Sequence, residues 1–172
     1  MKPIYTKLQL LISIIFIVVQ ANSQDIVVSE YYNSDPPSRE WTELVVVKDK
    51  LDLRGYTIRD NSELENWQVP AEFGDADVWS ELRSGTIIVI WHRAPGNLME
   101  DLDPHDGYIE TAFARGSAMN APYFESSDPV AFENNSMNLN HIHDMVQIRD
   151  PSGKNVHTLG HMTTESAVFA AI

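Results

Sequence analysis

The chain has 172 residues, with 12 lysines and arginines against 25 aspartates and glutamates, a net charge of −13 and no cysteine. So negative a surface repels phosphate backbones and anionic headgroups, which disfavours nucleic acid and anionic lipid as partners. The missing thiol rules out disulfides, thiolate metal sites, a cysteine nucleophile and lipid attachment through an N-terminal cysteine.

Lys2 and Lys7 precede an apolar run from Leu8 to Val19, and Gln20-Ala21-Asn22-Ser23 follows. This is the three-part layout of a secretory signal peptide. The run is about a dozen residues long, short of the roughly 20 that a membrane-spanning helix needs. Residues 1–23 are expected to be a signal peptide that is removed, leaving no stable membrane span and directing the remainder to a secreted, periplasmic or cell-surface location. Residues 24–161 then form one domain, long enough to bury a real core. Residues 162–172 end on the apolar Ser166–Ile172 and are read as a C-terminal tail or linker.

Short apolar or alternating runs bounded by turn residues follow. The first is Ile26–Tyr32, closed by Asn33-Ser34-Asp35-Pro36-Pro37-Ser38. Glu40–Val47 comes next, then Leu51–Asp60 with Gly55 inside it, then Trp67–Pro70. Gly85 introduces Thr86–Trp91, apolar on both faces and therefore a strand with few wet positions. Met145–Arg149 and Lys154–Leu159 flank Asp150-Pro151-Ser152-Gly153, whose proline and glycine suit a tight reversal, so this pair reads as a hairpin. Many short strands with turn chemistry between them indicate an all-β sandwich or barrel. Residues 92–141, rich in proline and glycine, are expected to be one long irregular segment. Only Tyr108–Ala114 and Pro129–Phe132 look regular there, and such a segment is where specificity is expected to sit.

Ile26-Val-Val-Ser-Glu-Tyr-Tyr-Asn33, Glu40-Trp-Thr-Glu-Leu44 and Leu51-Asp-Leu-Arg-Gly-Tyr-Thr-Ile-Arg-Asp-Asn61, in that order, resemble the lamin tail domain in its bacterial exported form. Gly85–Trp91 matches the family's glycine-led apolar strand, and Met145–Gly153 its final strand and turn. The resemblance covers roughly residues 25–160. The chain departs from it in Val45-Val46-Val47, where the family has an aromatic and an Asn entering a turn, and in the length of 92–141. What the resemblance implies is an immunoglobulin-like β-sandwich without catalytic residues, used as an accessory module. Fold alone does not fix a function.

The residues themselves offer several candidates. Glu30, Glu40, Glu43 and Asp60 lie on or beside predicted strands, and two close carboxylates are what glycoside hydrolysis uses. Inward carboxylates of a sandwich more often accept hydrogen bonds from backbone amides or an arginine, here Arg54 or Arg59. Asp101, Asp103 and Asp106 sit on an acidic loop ending at Gly107 and are the candidate calcium ligands, since calcium takes several hard oxygens from a flexible backbone. His141 and His143, followed by Asp144, could start a zinc or copper site but lack a third ligand at recognisable spacing. Trp67 and Trp79 stand in polar surroundings and are the candidate ligand-binding platform, whereas Trp41 and Trp91, in apolar strands, are expected in the core. Asn134-Asn135-Ser136 fits the N-glycosylation pattern, which has meaning only in a eukaryotic secretory pathway. The expectation is an exported, non-catalytic binding or scaffolding module with a protein or glycan partner and no required cofactor. The alternative is a small secreted hydrolase, or accessory module of one, using loop carboxylates such as Asp103 with calcium, or Glu43.

Overall fold

The computed structural model describes residues 24–33, 39–61, 67–135, 137–140 and 143–162. The expected signal peptide, His141, Ser136 of the Asn134–Ser136 motif and the tail from 163 onward lie outside them. Among the described residues eleven strands and one short α-helix follow in chain order. They are β1 (Ile26–Tyr32), β2 (Trp41–Val46), β3 (Thr57–Asn61), β4 (Ala71–Phe73), β5 (Ile87–Trp91), β6 (Tyr108–Ala112), β7 (Ala114–Arg115), β8 (Ala118–Met119), β9 (Phe124–Glu125), α1 (Pro129–Asn135), β10 (His143–Arg149) and β11 (Asn155–Met162). Among the described residues no helix is long and apolar enough to cross a membrane.

The strands make an all-β sandwich. One sheet has the order β1-β2-β5-β6 and the other β11-β10-β3-β4-β9, while β7 and β8 form a separate ribbon. Neighbours are antiparallel throughout except β5 and β6, which run parallel with Ile87 opposite Tyr108. Strict alternation on β2 and β5 sends Leu44, Val46, Ile88 and Ile90 inward. Ile58, Phe73, Phe124, Val146 and Ile148 meet them from the second sheet, all almost fully buried. A cluster of rings, Phe73, Trp79, Phe113, Phe124 and Phe132, fills one end, with centroid separations between 4.9 and 5.9 Å, the range at which tilted aromatic pairs attract.

The expected β10–β11 hairpin is present. Asp150 Oδ1 accepts from the N–H groups of Ser152 and Lys154 at 2.9 and 3.0 Å, and Gly153 takes φ +83°, where a side chain is strained. Residues 92–141 depart from expectation. They are not one irregular stretch, because they supply β6 to one sheet, β9 to the other, and α1. β6 and α1 fall on Tyr108–Ala114 and Pro129–Phe132, the two stretches expected to be regular, whereas β7, β8 and β9 have two residues each, too short to show a period in sequence, and are fixed by their pairing. Beneath them, Gly74 runs so close to Pro122 that a Cβ at position 74 would lie 2.2 Å from the Pro122 carbonyl oxygen.

The two sheets meet along β1 and β11. The N–H of Val28 donates to His157 Nδ1 at 3.1 Å, and Tyr31 Oη lies 2.5 Å from His161 Nδ1. Burial and then the charge of Asp144 push the Tyr31 phenol up to about 12. A register shift between Val28 and Glu30 breaks the alternation of β1. It turns Glu30 out to solvent and leaves the Ser29 hydroxyl to donate to Glu43 Oε1 at 2.7 Å.

Candidate ligand-binding site

The residues that alternate outward on β2 and β5 end in Trp41 and Trp91, which face one another across the strand pair. Tyr32 at the end of β1 pairs with Trp41 on its other side. Three aromatic side chains therefore stand in a row across three strands, on the face of the sheet that points away from the core. Tyr32 and Trp41 lie with ring planes 19° apart and centroids 6.1 Å apart, so the two rings share one orientation. Tyr32 is half exposed and Trp41 and Trp91 are half buried.

The loop after β5 forms a wall beside this row, and the two enclose a cleft of about 560 Å³ lined by Tyr32, Trp41, Trp91, Met99, Arg39 and Glu110 among others. Met99 is 88% exposed; an apolar side chain so open beside an aromatic row is free to meet a ligand. Trp91 is fixed rather than loose, because its Nε1–H donates to Glu110 Oε1 at 2.8 Å while Tyr108 Oη–H reaches Glu110 Oε2 at 3.3 Å. Arg39 is exposed and has no ion-pair or hydrogen-bond partner among the described residues.

Two expectations about tryptophan are thereby corrected. Trp41 and Trp91 are not core, because the parity of their strands puts them on the outer face. Trp79 is the core residue, fully buried, with its Nε1–H spent on the Tyr123 carbonyl at 2.8 Å. Its polar sequence neighbours belong to a tight 3₁₀ turn at Asp77–Trp79 that tucks the indole inward. Trp67 is half buried, and the Arg59 guanidinium covers its ring at 3.9 Å from the centroid. Neither Trp67 nor Trp79 contributes to the cleft.

The acidic loop uses its carboxylates locally. Asp101 Oδ1 accepts from Asp103 N–H, Asp103 Oδ1 from His105 N–H, and Asp106 Oδ1 from Tyr108 N–H, at 3.1, 3.0 and 2.8 Å. Such contacts are side-chain-stabilised turns. Among the described residues no three acidic or histidine side chains gather as a metal site, so Asp101, Asp103 and Asp106 are not brought together.

The strand carboxylates divide. Glu30 and Glu43 sit opposite one another on the outer face, against the inward reading of both. Glu40 and Asp60 are buried, joined by Asp144 and His92, which the sequence did not single out in this role. These buried acids take backbone amides as expected, not an arginine. Leu139 N–H donates to Glu40, Met137 N–H to Asp60, and Asn140 and Met145 N–H to Asp144. Burial first, then the charge of Asp144, pushes Asp60 up to about 8. Burial alone would raise Asp144 further than its value of about 6, because the backbone donors oppose it. His92 is held down by burial against the pull of Glu40, whose Oε2 lies 3.6 Å from Nδ1, too far for a hydrogen bond. Its Nε2 sits 2.9 Å from Thr42 Oγ1. The group is closed to solvent and organises one segment of backbone. Arg54 meanwhile pairs with Asp52 and Asp75, and Arg59 donates to Gln147.

No family model matches the chain, and no curated protein matches it either.

Proposed function

We propose that the chain is an exported, non-catalytic binding module of the lamin-tail type, which engages a protein or glycan partner outside the cytoplasm through the cleft at Tyr32, Trp41 and Trp91. The observation that carries this reading is the aromatic row on the outer sheet face, partly open to solvent and gathered at one cleft, whereas Phe73, Trp79, Phe113, Phe124 and Phe132 are fully buried. Small-molecule and peptide sites are concave, largely apolar and fixed by a few polar groups, and the cleft has that composition. Support for a non-catalytic role comes from the carboxylates: the buried ones are closed to solvent and bonded to backbone amides, and those of the acidic loop close turns. The lamin-tail assignment is supported by the order of the motifs in residues 26–61 and by the β10–β11 hairpin.

The test is a glycan and peptide array probed with the purified chain and with a Trp41→Ala/Trp91→Ala double variant, beside a broad hydrolase screen. Signal that disappears in the double variant supports the reading. Signal that persists moves the site elsewhere, and turnover abolished by Glu43→Gln or Asp103→Asn replaces the module with an enzyme.

A further inference from the structure

Resting on that reading, we infer that the occupant of the cleft is a neutral glycan chain whose sugar rings stack on Tyr32, Trp41 and Trp91. The row crosses three adjacent strands, two strand spacings or roughly 10 Å, so it offers a surface for consecutive rings rather than a pocket for one. Its chemistry is that of sugar recognition. Aromatic faces meet the apolar C–H faces of pyranose rings, and polar groups at the margin meet the hydroxyls.

The charge pattern separates this ligand from its competitors. Among the described residues the cleft is lined by one guanidinium and one carboxylate, Arg39 and Glu110. The net charge of −13 draws an oligocation to the surface at large, but at the rings it meets Arg39, and both Glu110 oxygens there are already engaged by Trp91 and Tyr108. A polyanion meets the opposite obstacle, the net charge of −13. A polyhydroxyl ligand suffers neither penalty. Arg39 and Asn97 supply donors at the cleft, while Glu30 and Glu43, one row away on the same face, supply acceptors to hydroxyls running off the platform.

The experiment is a titration of the full chain with cellohexaose, xylohexaose, mannohexaose, laminarihexaose and chitohexaose, followed by calorimetry and tryptophan fluorescence. Hexagalacturonate and an oligolysine peptide serve as the charged arms. At least one neutral hexasaccharide is expected to bind and to perturb the fluorescence. Trp41→Ala and Trp91→Ala should each weaken it about tenfold or more, Trp41→Phe should retain most of the affinity, and Trp67→Ala, away from the cleft, should retain all of it. Circular dichroism of each variant separates lost binding from lost fold. Binding of only hexagalacturonate or oligolysine, with the same dependence on Trp41 and Trp91, overturns the neutral glycan and leaves the cleft as the site. Glycan binding indifferent to both tryptophans overturns the cleft itself, and no binding by any of the five neutral chains at millimolar concentration overturns the inference.

Discussion

Asp60 on β3 receives the backbone N–H of Met137, a residue 77 positions further along the chain, at 3.2 Å, and Met137 holds a φ of +56°. A methionine in that left-handed region is strained, and the structure around it must supply the compensation. Asp60, Glu40 and Asp144 supply it together, each accepting from a different amide of residues 137–140. The segment is suspended from three buried carboxylates that come from three different strands or strand borders.

The protonation of Asp60 gives this arrangement a pH signature. Its carboxyl titrates at about 8 in the folded chain against about 3.9 when unfolded. An acid raised on folding holds its proton more tightly in the native state, so the stability it contributes is complete below about pH 4 and is lost as the pH climbs through about 8. Asp60→Asn keeps an acceptor for the Met137 amide and cannot ionise. Its melting temperature is expected to be close to the parent's at about pH 4 and above it at about pH 9. A gap that is equal at the two pH values would remove Asp60 as the titrating group.

Leu53 and Ile88 are fully buried, Ile88 on β5 and Leu53 in the turn before β3. Truncating either to alanine is expected to cost about 2–5 kcal/mol, the transfer term plus a cavity the packed sheets cannot close. Denaturant titration reads this directly, and midpoints unmoved by both substitutions would mean that the interior has been misplaced.

Two glycines separate close approach from mere flexibility. Gly74→Ala would drive a methyl group to 2.2 Å from the Pro122 carbonyl oxygen, whereas a methyl at Gly96 meets nothing within 4 Å. Gly74→Ala is expected to lower the melting temperature by several degrees, corresponding to a loss of about 1–3 kcal/mol, and Gly96→Ala to leave it nearly unchanged. Equal melting temperatures for the two variants would show that Pro122 can move aside at little expense.

The seam between the sheets responds to acid in the opposite sense from Asp60. Burial holds the His157 imidazole below its ordinary value, so the stability tied to its neutral form is present above about pH 6.5 and is lost as the pH falls. Once protonated, Nδ1 carries a hydrogen and cannot accept from Val28. Hydrogen exchange is the readout: the protection factor of the Val28 amide should fall, relative to that of Ile88, between about pH 7 and pH 5. A constant ratio would count against the imidazole as the acceptor that matters.

The strands β2 and β5, the turn chemistry at Asp150–Gly153 and the bounds of β1 were all readable in sequence, because they depend on local composition and spacing. What could not be read was parity. Thr42, Leu44 and Val46 on one side of β2 and Trp41, Glu43 and Val45 on the other are both mixed sets, so nothing local says which faces the core. Burial of the threonine and exposure of the tryptophan are decided by β5 and β1 lying alongside. The burial of Trp79 is hidden in sequence for a related reason, since its polar neighbours describe the turn that carries it and not the core it fills. In sequence Asp144 stands only as a companion to His143, because Asn140, whose amide it accepts, lies in a segment whose position depends on β3 and β2. The aromatic row could have been suspected from the aromatics at the end of β1, the start of β2 and the end of β5, where antiparallel pairing brings such termini together.

The parallel pairing of β5 and β6 has a consequence in time. The hairpin β10–β11 can close as soon as its short turn forms, but β6 can dock beside β5 only after residues 92–107 have travelled back along the sheet. Non-local pairings of this kind are slow, because the entropy of closing the loop is spent before any contact repays it. The wall of the cleft and Glu110 both belong to that returning segment and its strand. The cleft is therefore expected to assemble late, after the transition state for folding, and a bound ligand should show itself as a slower unfolding rate with refolding barely accelerated.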